Sequence, residues 1–499
     1  MIQKNLRVII MALAGILVSI FFVLVGHLIF KIVVPPLNFP RNIPTIPFYV
    51  IFLPTIFNID QTKLYDMYLR EPLEKHGAAK IFFGSRWNII VTRPELMAHV
   101  FREEDTFAKS GNQKKIPYAV IAAYTGDNVI SAHGQVWRTY RSVVTNGLQH
   151  FDDKPFYKNA ELFCNGIEKL RRKTPESASM GPLIQRLCLD NISEVALGFD
   201  FGALTQDDNQ LHKHLIDIKK QIFHPMYLTF PFLDLLPIPA RRKAFKDVAS
   251  FREQLVTKIQ DNLVTNYKFE QTSFASSDLI RAHNNEIINY QQLTDNIVII
   301  LVAGHENPQV LLTTSLYLLG KHPALQQKIR AEVQDVNDSK ELSELPLLNS
   351  FIFEAIRLFP PLNIIINRKT TKACRLGPEI VIPKDTYVGY NNFGTSHDPK
   401  VWGPNADQFD PTRWGEDNET ILKNWKHAKN AYTMTAFHGG RRACLGEKLA
   451  LTEMRVTIAE VLRQYKWTLA SDWEERMTPA GPLSPSNLKL NFESCSDAI

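Results

Sequence analysis

A mainly α-helical domain carried on an N-terminal transmembrane helix is the architecture this sequence predicts. Three observations predict it. Residues Val8 to Phe30 form an almost unbroken apolar run. A second long apolar stretch, Thr294 to Lys321, has helical length and is closed by Pro323. Finally, no Gly/Ser-rich linker or internal repeat divides the 499 residues, although the chain exceeds the usual size of one domain. One large helical unit is therefore expected over residues 49–499.

The first element follows from length. At about 1.5 Å of rise per residue, Val8 to Phe30 can cross a hydrocarbon core of roughly 30 Å. His27 is the main interruption, and no small-residue cleavage site follows. Instead the run ends in Lys31-Ile32-Val33-Val34-Pro35-Pro36, with Pro40, Pro44 and Pro47 beyond it. This reads as an uncleaved signal anchor over residues 1–34 and a proline-rich hinge over 35–48, rather than a cleaved leader. Lys4 and Arg7 precede the run and Lys31 and Arg41 follow it, so charge does not set the orientation.

A formal net charge of +6 without a clustered basic motif argues against nucleic acid and suits an anionic membrane or an acidic redox partner. Five scattered cysteines, Cys164, Cys188, Cys374, Cys444 and Cys495, argue against a disulfide framework and for a reducing compartment. The sequons at Asn191, Asn337 and Asn418 are then expected to be unused.

Within the domain, Trp137 and Arg141 lie four residues apart and share a helix face. The Thr294–Lys321 helix contains Ala303-Gly304-His305-Glu306-Asn307-Pro308. Pro308 removes a backbone hydrogen bond and Gly304 permits close approach, so a kinked core helix is expected. Glu354 and Arg357 share a face just before Leu358-Phe359-Pro360-Pro361 stops their helix. Alone, that pair would read as a surface salt bridge worth little. Cys444 sits in a loop with Arg441, Arg442, Gly439, Gly440 and Gly446, where a helical pattern begins at Leu445. A thiol ligates metal only as a thiolate, which positive neighbours and a helix start both favour. The glycines let the loop approach a flat group closely.

The ten residues Phe437-His438-Gly439-Gly440-Arg441-Arg442-Ala443-Cys444-Leu445-Gly446 match Phe-x-x-Gly-x-Arg-x-Cys-x-Gly at every fixed position, and so resemble the cysteine loop of the cytochrome P450 family. Glu354-x-x-Arg357, Trp137-x-x-x-Arg141 and Phe409 to Trp414 resemble further family elements. The resemblance implies a helical bundle with a small β region around haem b, with Cys444 as the axial iron ligand. Phe437, Gly440, Arg442 and Gly446 would cradle the haem, and Trp137, Arg141 and Arg368 would reach its propionates. Glu354, Arg357 and Arg413 would lock the cysteine loop from behind. Ala303, Gly304, Glu306 and Asn307 would cross the oxygen-binding face, with Glu306 the proton-delivering acid. Asn307 stands where relatives carry threonine; an amide can hydrogen-bond but is not a hydroxyl relay. The pocket would be completed by residues 118–129, 362–367 and 482–485. Neither a P-loop nor a dinucleotide fingerprint is present, so electrons must come from outside, as expected of NADPH and a membrane-bound diflavin reductase. The same resemblance implies a cytosolic catalytic domain, single-pass, on the endoplasmic reticulum.

The string Ala303 to Gln309 is similar to the distal helix of the yeast spore-wall subfamily that couples N-formyltyrosine to bisformyl-dityrosine. Phenol coupling withdraws hydrogen atoms and lets oxygen leave as water, which is compatible with an altered relay. Ile364, Ile365 and Ile366 suit an aromatic or lipophilic substrate, although such a run is also an ordinary buried strand. The substrate's carboxylate would need a cationic or amide anchor that the sequence does not mark. Two other readings stand beside this one: hydroxylation of a fatty acid, sterol or xenobiotic, and a haem sensor or carrier without turnover. A proton-delivering acid at Glu306 argues against the last.

Overall fold

The N-terminal apolar run forms one helix, α1 (Ile2–Val33), in the computed structural model, which describes residues 2–266 and 273–495. Among the described residues, two helices are long and apolar enough to cross a membrane. The segment Ile10–Val33 has no buried residue, whereas most of Tyr290–Lys321 is buried, which makes it a core helix. The end of α1 is tied to the domain where Trp87 Nε1 donates to the Lys31 carbonyl at 3.2 Å. The expected hinge is not slack along its length. Ile43 and Ile46 are buried, and backbone bonds of 2.9 Å join Ile46 N to Lys80 O and Lys80 N to Pro44 O. Burying those two isoleucines straps residues 43–46 to the sheet and confines any hinge to the residues before them.

The main sheet contains β1 (Ala78–Phe83), β2 (Arg86–Val91), β3 (Phe107–Lys109), β4 (Ile364–Thr370) and β5 (Tyr387–Asn391), in the order β1-β2-β5-β4-β3. Only the β2–β5 pairing is parallel. The register of β4 against β5 slips between Ile366 and Arg368, so Asn367 is an extra residue. Such a bulge breaks side-chain alternation and re-aims the side chains beyond it. Ile364 to Ile366 remain partly exposed while Arg368 is completely buried.

The site is positioned by α2 (Val120–Thr125), α3 (Gly134–Gln149), α4 (Gly181–Val195), α5 (Gln210–Ile222), α6 (Pro239–Asn266), α7 (Tyr290–Lys321), α8 (Pro346–Leu358) and α9 (Glu447–Gln464). The central helix α7 packs against α4, α6, α8 and α9. It begins four residues before the expected Thr294, because Asn289 and Gln292 form a reciprocal capping box that satisfies its first donors. It runs on through Pro308 to Lys321. Gly304 is where α4 comes closest: a Cβ there would lie 2.3 Å from Ile192 side-chain atoms. Asn191, beside Ile192, is fully buried and donates to Glu453, so its sequon cannot accept a glycan in the folded chain. All five cysteines are unpaired.

Candidate active site

The cysteine loop closes on itself. His438 and Gly440 take left-handed backbone angles of 62° and 60°, a short helical turn covers Gly440–Arg442, and Cys444 N donates to Phe437 O at 2.9 Å. α9 begins at Glu447 with Gly446 as its N-cap, two residues later than the sequence pattern suggests. Cys444 remains accessible although protein surrounds it, as a side chain lining an interior cleft does. Burial pushes its thiol up to about 11, with the Gly446 N–H pulling the other way, so the free thiol is neutral at pH 7. A coordinated cation is what would deprotonate it.

Behind the loop, Glu354, Arg357 and Arg413 meet as expected. Glu354 and Arg357 are fully buried and joined by two bonds of 2.8 Å. Glu354 also accepts from Trp414 Nε1 at 3.1 Å, Asp410 N at 3.1 Å and, more loosely, Arg413 Nε at 3.5 Å. Arg357 spends its remaining donors on the carbonyls of Ser396, Ala406 and Gln408. This is a saturated ionic network, the condition under which a buried pair is tolerated. It ties the end of α8 to the segment leading toward the cysteine loop.

Beside the loop is a buried group of donors with too few acceptors. Arg368 makes one bond, from Nη1 to Phe107 O at 3.3 Å, and its Nε and Nη2 have no partner. Trp137 Nε1 has none either. The Arg442 guanidinium stacks 3.7 Å from the Trp137 ring, pairs with Glu104, and donates to Ala132 O at 3.0 Å. Arg141 donates to Ala443 O at 3.2 Å. Lys109 Nζ lies 3.0 Å from His438 Nε2, and burial followed by neighbouring cations holds both groups well below their ordinary pKa. Four cations from β3, α3, β4 and the cysteine loop thus face one acid, Glu104. Orphaned buried donors are costly unless an acceptor arrives. The set fits a flat group bearing carboxylates, with its metal held by the one cysteine. Sequence reasoning found Trp137, Arg141, Arg368 and Arg442 through their motifs. It missed Lys109 and Glu104, which carry no local signal, and His438, a variable position inside the motif.

On the other side, Ala303, Gly304, Glu306 and Asn307 are, with Gln309, partly exposed at the middle of a buried helix. Gly304 serves the packing against Ile192, while Glu306 and Asn307 supply the polar groups. Glu306 pairs with Lys219 of α5 at 3.0 Å. Lys219 also lies 3.3 Å from His305 Nε2, and His305 Nδ1 is 2.6 Å from Leu301 O. That geometry places the His305 proton on Nδ1 and leaves Nε2 to accept from the ammonium. Asn307 Nδ2 donates back to Ala303 O at 3.3 Å. The buried Tyr124 hydroxyl of α2 has no partner, and burial together with the nearby Glu306 charge raises its pKa. Lys219 was not legible in sequence, because it meets Glu306 only across the α5–α7 contact. The other expected walls adjoin: residues 482–485 are joined to the start of β4's approach by Leu483 N donating to Pro361 O at 3.0 Å.

Comparison with known proteins gives one consistent grouping. The cytochrome P450 family model matches residues 44–492. Among curated proteins, the chain is 67% identical over 483 residues to Cytochrome P450-DIT2 of Saccharomyces cerevisiae, covering 97% of this chain and 99% of that one. It is 33% identical over 465 residues to Cytochrome P450 monooxygenase xanG of Aspergillus fumigatus, covering 90% and 86%. It is 26% identical over 467 residues to Echinocystic acid 23-monooxygenase of Saponaria officinalis, covering 87% and 85%.

Proposed function

The chain belongs to the cytochrome P450 family, and from that premise we propose that it couples two N-formyltyrosine molecules through their phenol rings into bisformyl-dityrosine for a spore or cell wall. It is a haem-thiolate oxidoreductase of the monooxygenase type, using O2 and a redox partner, and its exposed N-terminal apolar helix is consistent with a membrane anchor. The observation that carries the finer reading is the centre of α7. There Glu306 is held by Lys219, and Asn307 replaces the hydroxyl residue of ordinary hydroxylating relatives. The 67% identity to a yeast cytochrome P450 supports the same subfamily.

The balanced reaction joins two phenols with loss of two hydrogens, while O2, two electrons and two further protons become two waters. Haem held by Cys444 would supply oxygen activation and hydrogen-atom abstraction. The chain's own residues do the rest. The Gly446 N–H directs a donor at the sulfur, and the Glu354 network keeps the loop from shifting. Trp137, Arg368, Arg442 and Arg141 offer the donors that would orient the haem's carboxylates. Glu306 passes protons inward from the Lys219 side, while Asn307 holds water or oxygen by hydrogen bonds without relaying a proton itself. Since coupling requires no oxygen rebound to carbon, an amide suffices at that position. The electron source would be NADPH through a membrane-bound diflavin reductase, with the domain on the cytosolic face of the endoplasmic reticulum.

Hydroxylation of a lipophilic substrate is the second reading, favoured by the three adjoining isoleucines of β4. Product mass separates the two. Purified enzyme with a diflavin reductase, NADPH and N-formyltyrosine should yield a dimer lacking two hydrogens. A monomer carrying one added oxygen would overturn coupling, and binding of substrate with no product under turnover conditions would favour a sensor or carrier.

A further inference from the structure

Several cations around the cleft are balanced by carboxylates, Lys219 by Glu306, Arg241 by Asp234 and Arg252 by Asp295, whereas Lys109 and Arg368 beside the cysteine loop form no ion pair among the described residues. Lys115 is a further cation without a carboxylate, set apart from that group. It ends the short helix Asn112–Lys115, just before the loop that leads into α2. Its Nζ reaches Ile366 O of β4 at a long 3.5 Å and lies 5.2 Å and 5.8 Å from the centres of the Tyr387 and Phe83 rings. Among the described residues no carboxylate lies within ion-pair distance of it. The nearest charged influence is another cation: Arg86 donates to the Lys115 carbonyl at 2.8 Å and stacks 4.9 Å from the same Tyr387 ring. Arg86 also forms no ion pair among the described residues. Burial, followed by Arg86, lowers the Lys115 amine to about 7.

A largely buried amine on aromatic rings, beside a second unpaired cation, is a costly arrangement for structure alone. One weak carbonyl contact does not offset it. Ile366, whose carbonyl it touches, is the last of three partly exposed isoleucines of β4; Ile364 and Ile366 share one face of the strand and Ile365 packs on the other. An acid docked along Ile364–Ile366 would put its carboxylate within reach of this pair of charges.

We propose that Lys115, backed by Arg86, anchors the carboxylate of the substrate at the β4 wall of the cleft. For N-formyltyrosine this rests on the coupling reading above; the anchor itself requires only that the substrate be an acid. It makes Lys115 a specificity-determining residue, since a phenol lacking the carboxylate gains nothing from it.

The test uses the full-length haem-loaded enzyme and titrates the substrate-induced change in haem absorbance. N-formyltyrosine is compared with N-formyltyramine, which lacks the carboxylate, and dodecanoate with methyl dodecanoate. Wild type should bind the acid of at least one pair more tightly than its neutral partner. Lys115→Gln should weaken that acid by about 10- to 100-fold and leave the neutral compound unchanged. Lys115→Arg should retain most of the preference. Equal affinity for acid and neutral compound in both pairs, or equal loss for both in Lys115→Gln, would overturn the anchor. A preference confined to dodecanoate, and lost in Lys115→Gln, would keep the anchor and reject tyrosine coupling. Haem content and the thiolate spectrum monitor folding. If Lys115→Gln loses them, the wild-type preference and Lys115→Arg still decide.

Discussion

Glu354 behind the cysteine loop and Glu306 at the centre of α7 are held in opposite ways. Glu354 is completely buried and accepts from two arginines, an indole and a backbone N–H. Glu306 is 23% exposed, with one ammonium partner at 3.0 Å and an unpartnered tyrosine hydroxyl nearby. A saturated network stays in one arrangement, whereas a singly paired group can exchange its partner. The cysteine side is therefore built to hold a geometry, whereas Glu306 on the α7 side is left able to change partner, as the proposed proton delivery requires.

The sharpest way to break that division is at the cysteine. Cys444→Ala should abolish the thiolate spectrum of the carbon monoxide complex and all turnover; a surviving spectrum would remove Cys444 as the ligand. Next in size is the network behind it. Glu354→Ala leaves Arg357 charged, fully buried and deprived of its carboxylate, an unpaired state that costs about 3–5 kcal/mol. Haem content after purification and the unfolding temperature should both fall, and a fully loaded, equally stable variant would show that the network is dispensable.

The α7 side should answer in rate rather than stability. Glu306→Gln should lower kcat by about 100-fold while haem content and the unfolding temperature hold, as expected when one positioned acid is lost. Unchanged kcat would take Glu306 out of proton delivery. Lys219→Met, which removes the ammonium at 3.0 Å, should also slow turnover without loss of haem. If instead it speeds turnover, the ion pair restrains Glu306 rather than feeding it.

These two sides were unequally legible in the sequence. The cysteine loop and the Glu354–Arg357 pair are contiguous in the chain, and their spacing alone puts the right atoms together. The N-terminal helix and the central helix announce themselves by apolar length. By contrast, Lys219 finds Glu306 from 87 positions away in the numbering, and Lys109 reaches His438 across 329. Such partners are chosen by how α5, β3 and the loops pack, which no local pattern encodes. The Asn367 bulge that separates the buried Arg368 from the open isoleucines was equally invisible, because register is set by β5 and not by β4 itself. The proline-rich segment shows the same limit: its prolines are local, but the strap of residues 43–46 onto β1 is not.

The two sides also meet, through α4, and a smaller effect sharpens the comparison there. Ile192 of α4 fills the space left by Gly304 in α7, and its neighbour Asn191 donates to Glu453 of α9 at 2.9 Å. Glu453 is completely buried, and burial lifts its pKa from an ordinary 4.5 to about 8, with Asn191 and Cys188 pulling against the rise. The folded chain therefore keeps a proton on Glu453 that the unfolded chain releases above about pH 4.5. Stability contributed by that proton is complete below this pH and is lost as pH rises toward about 8, at no more than about 1.4 kcal/mol per pH unit. Buried His305 and His438, whose pKa values are lowered, act with the opposite sign, so the wild-type slope alone is not diagnostic. The difference between wild type and Glu453→Gln is. The glutamine keeps the shape and cannot ionise, so its advantage in unfolding temperature should grow from pH 5.5 to pH 8. Parallel curves would show that Glu453 does not titrate in this window, and that α9 and α7 are joined through α4 by packing without a buried proton.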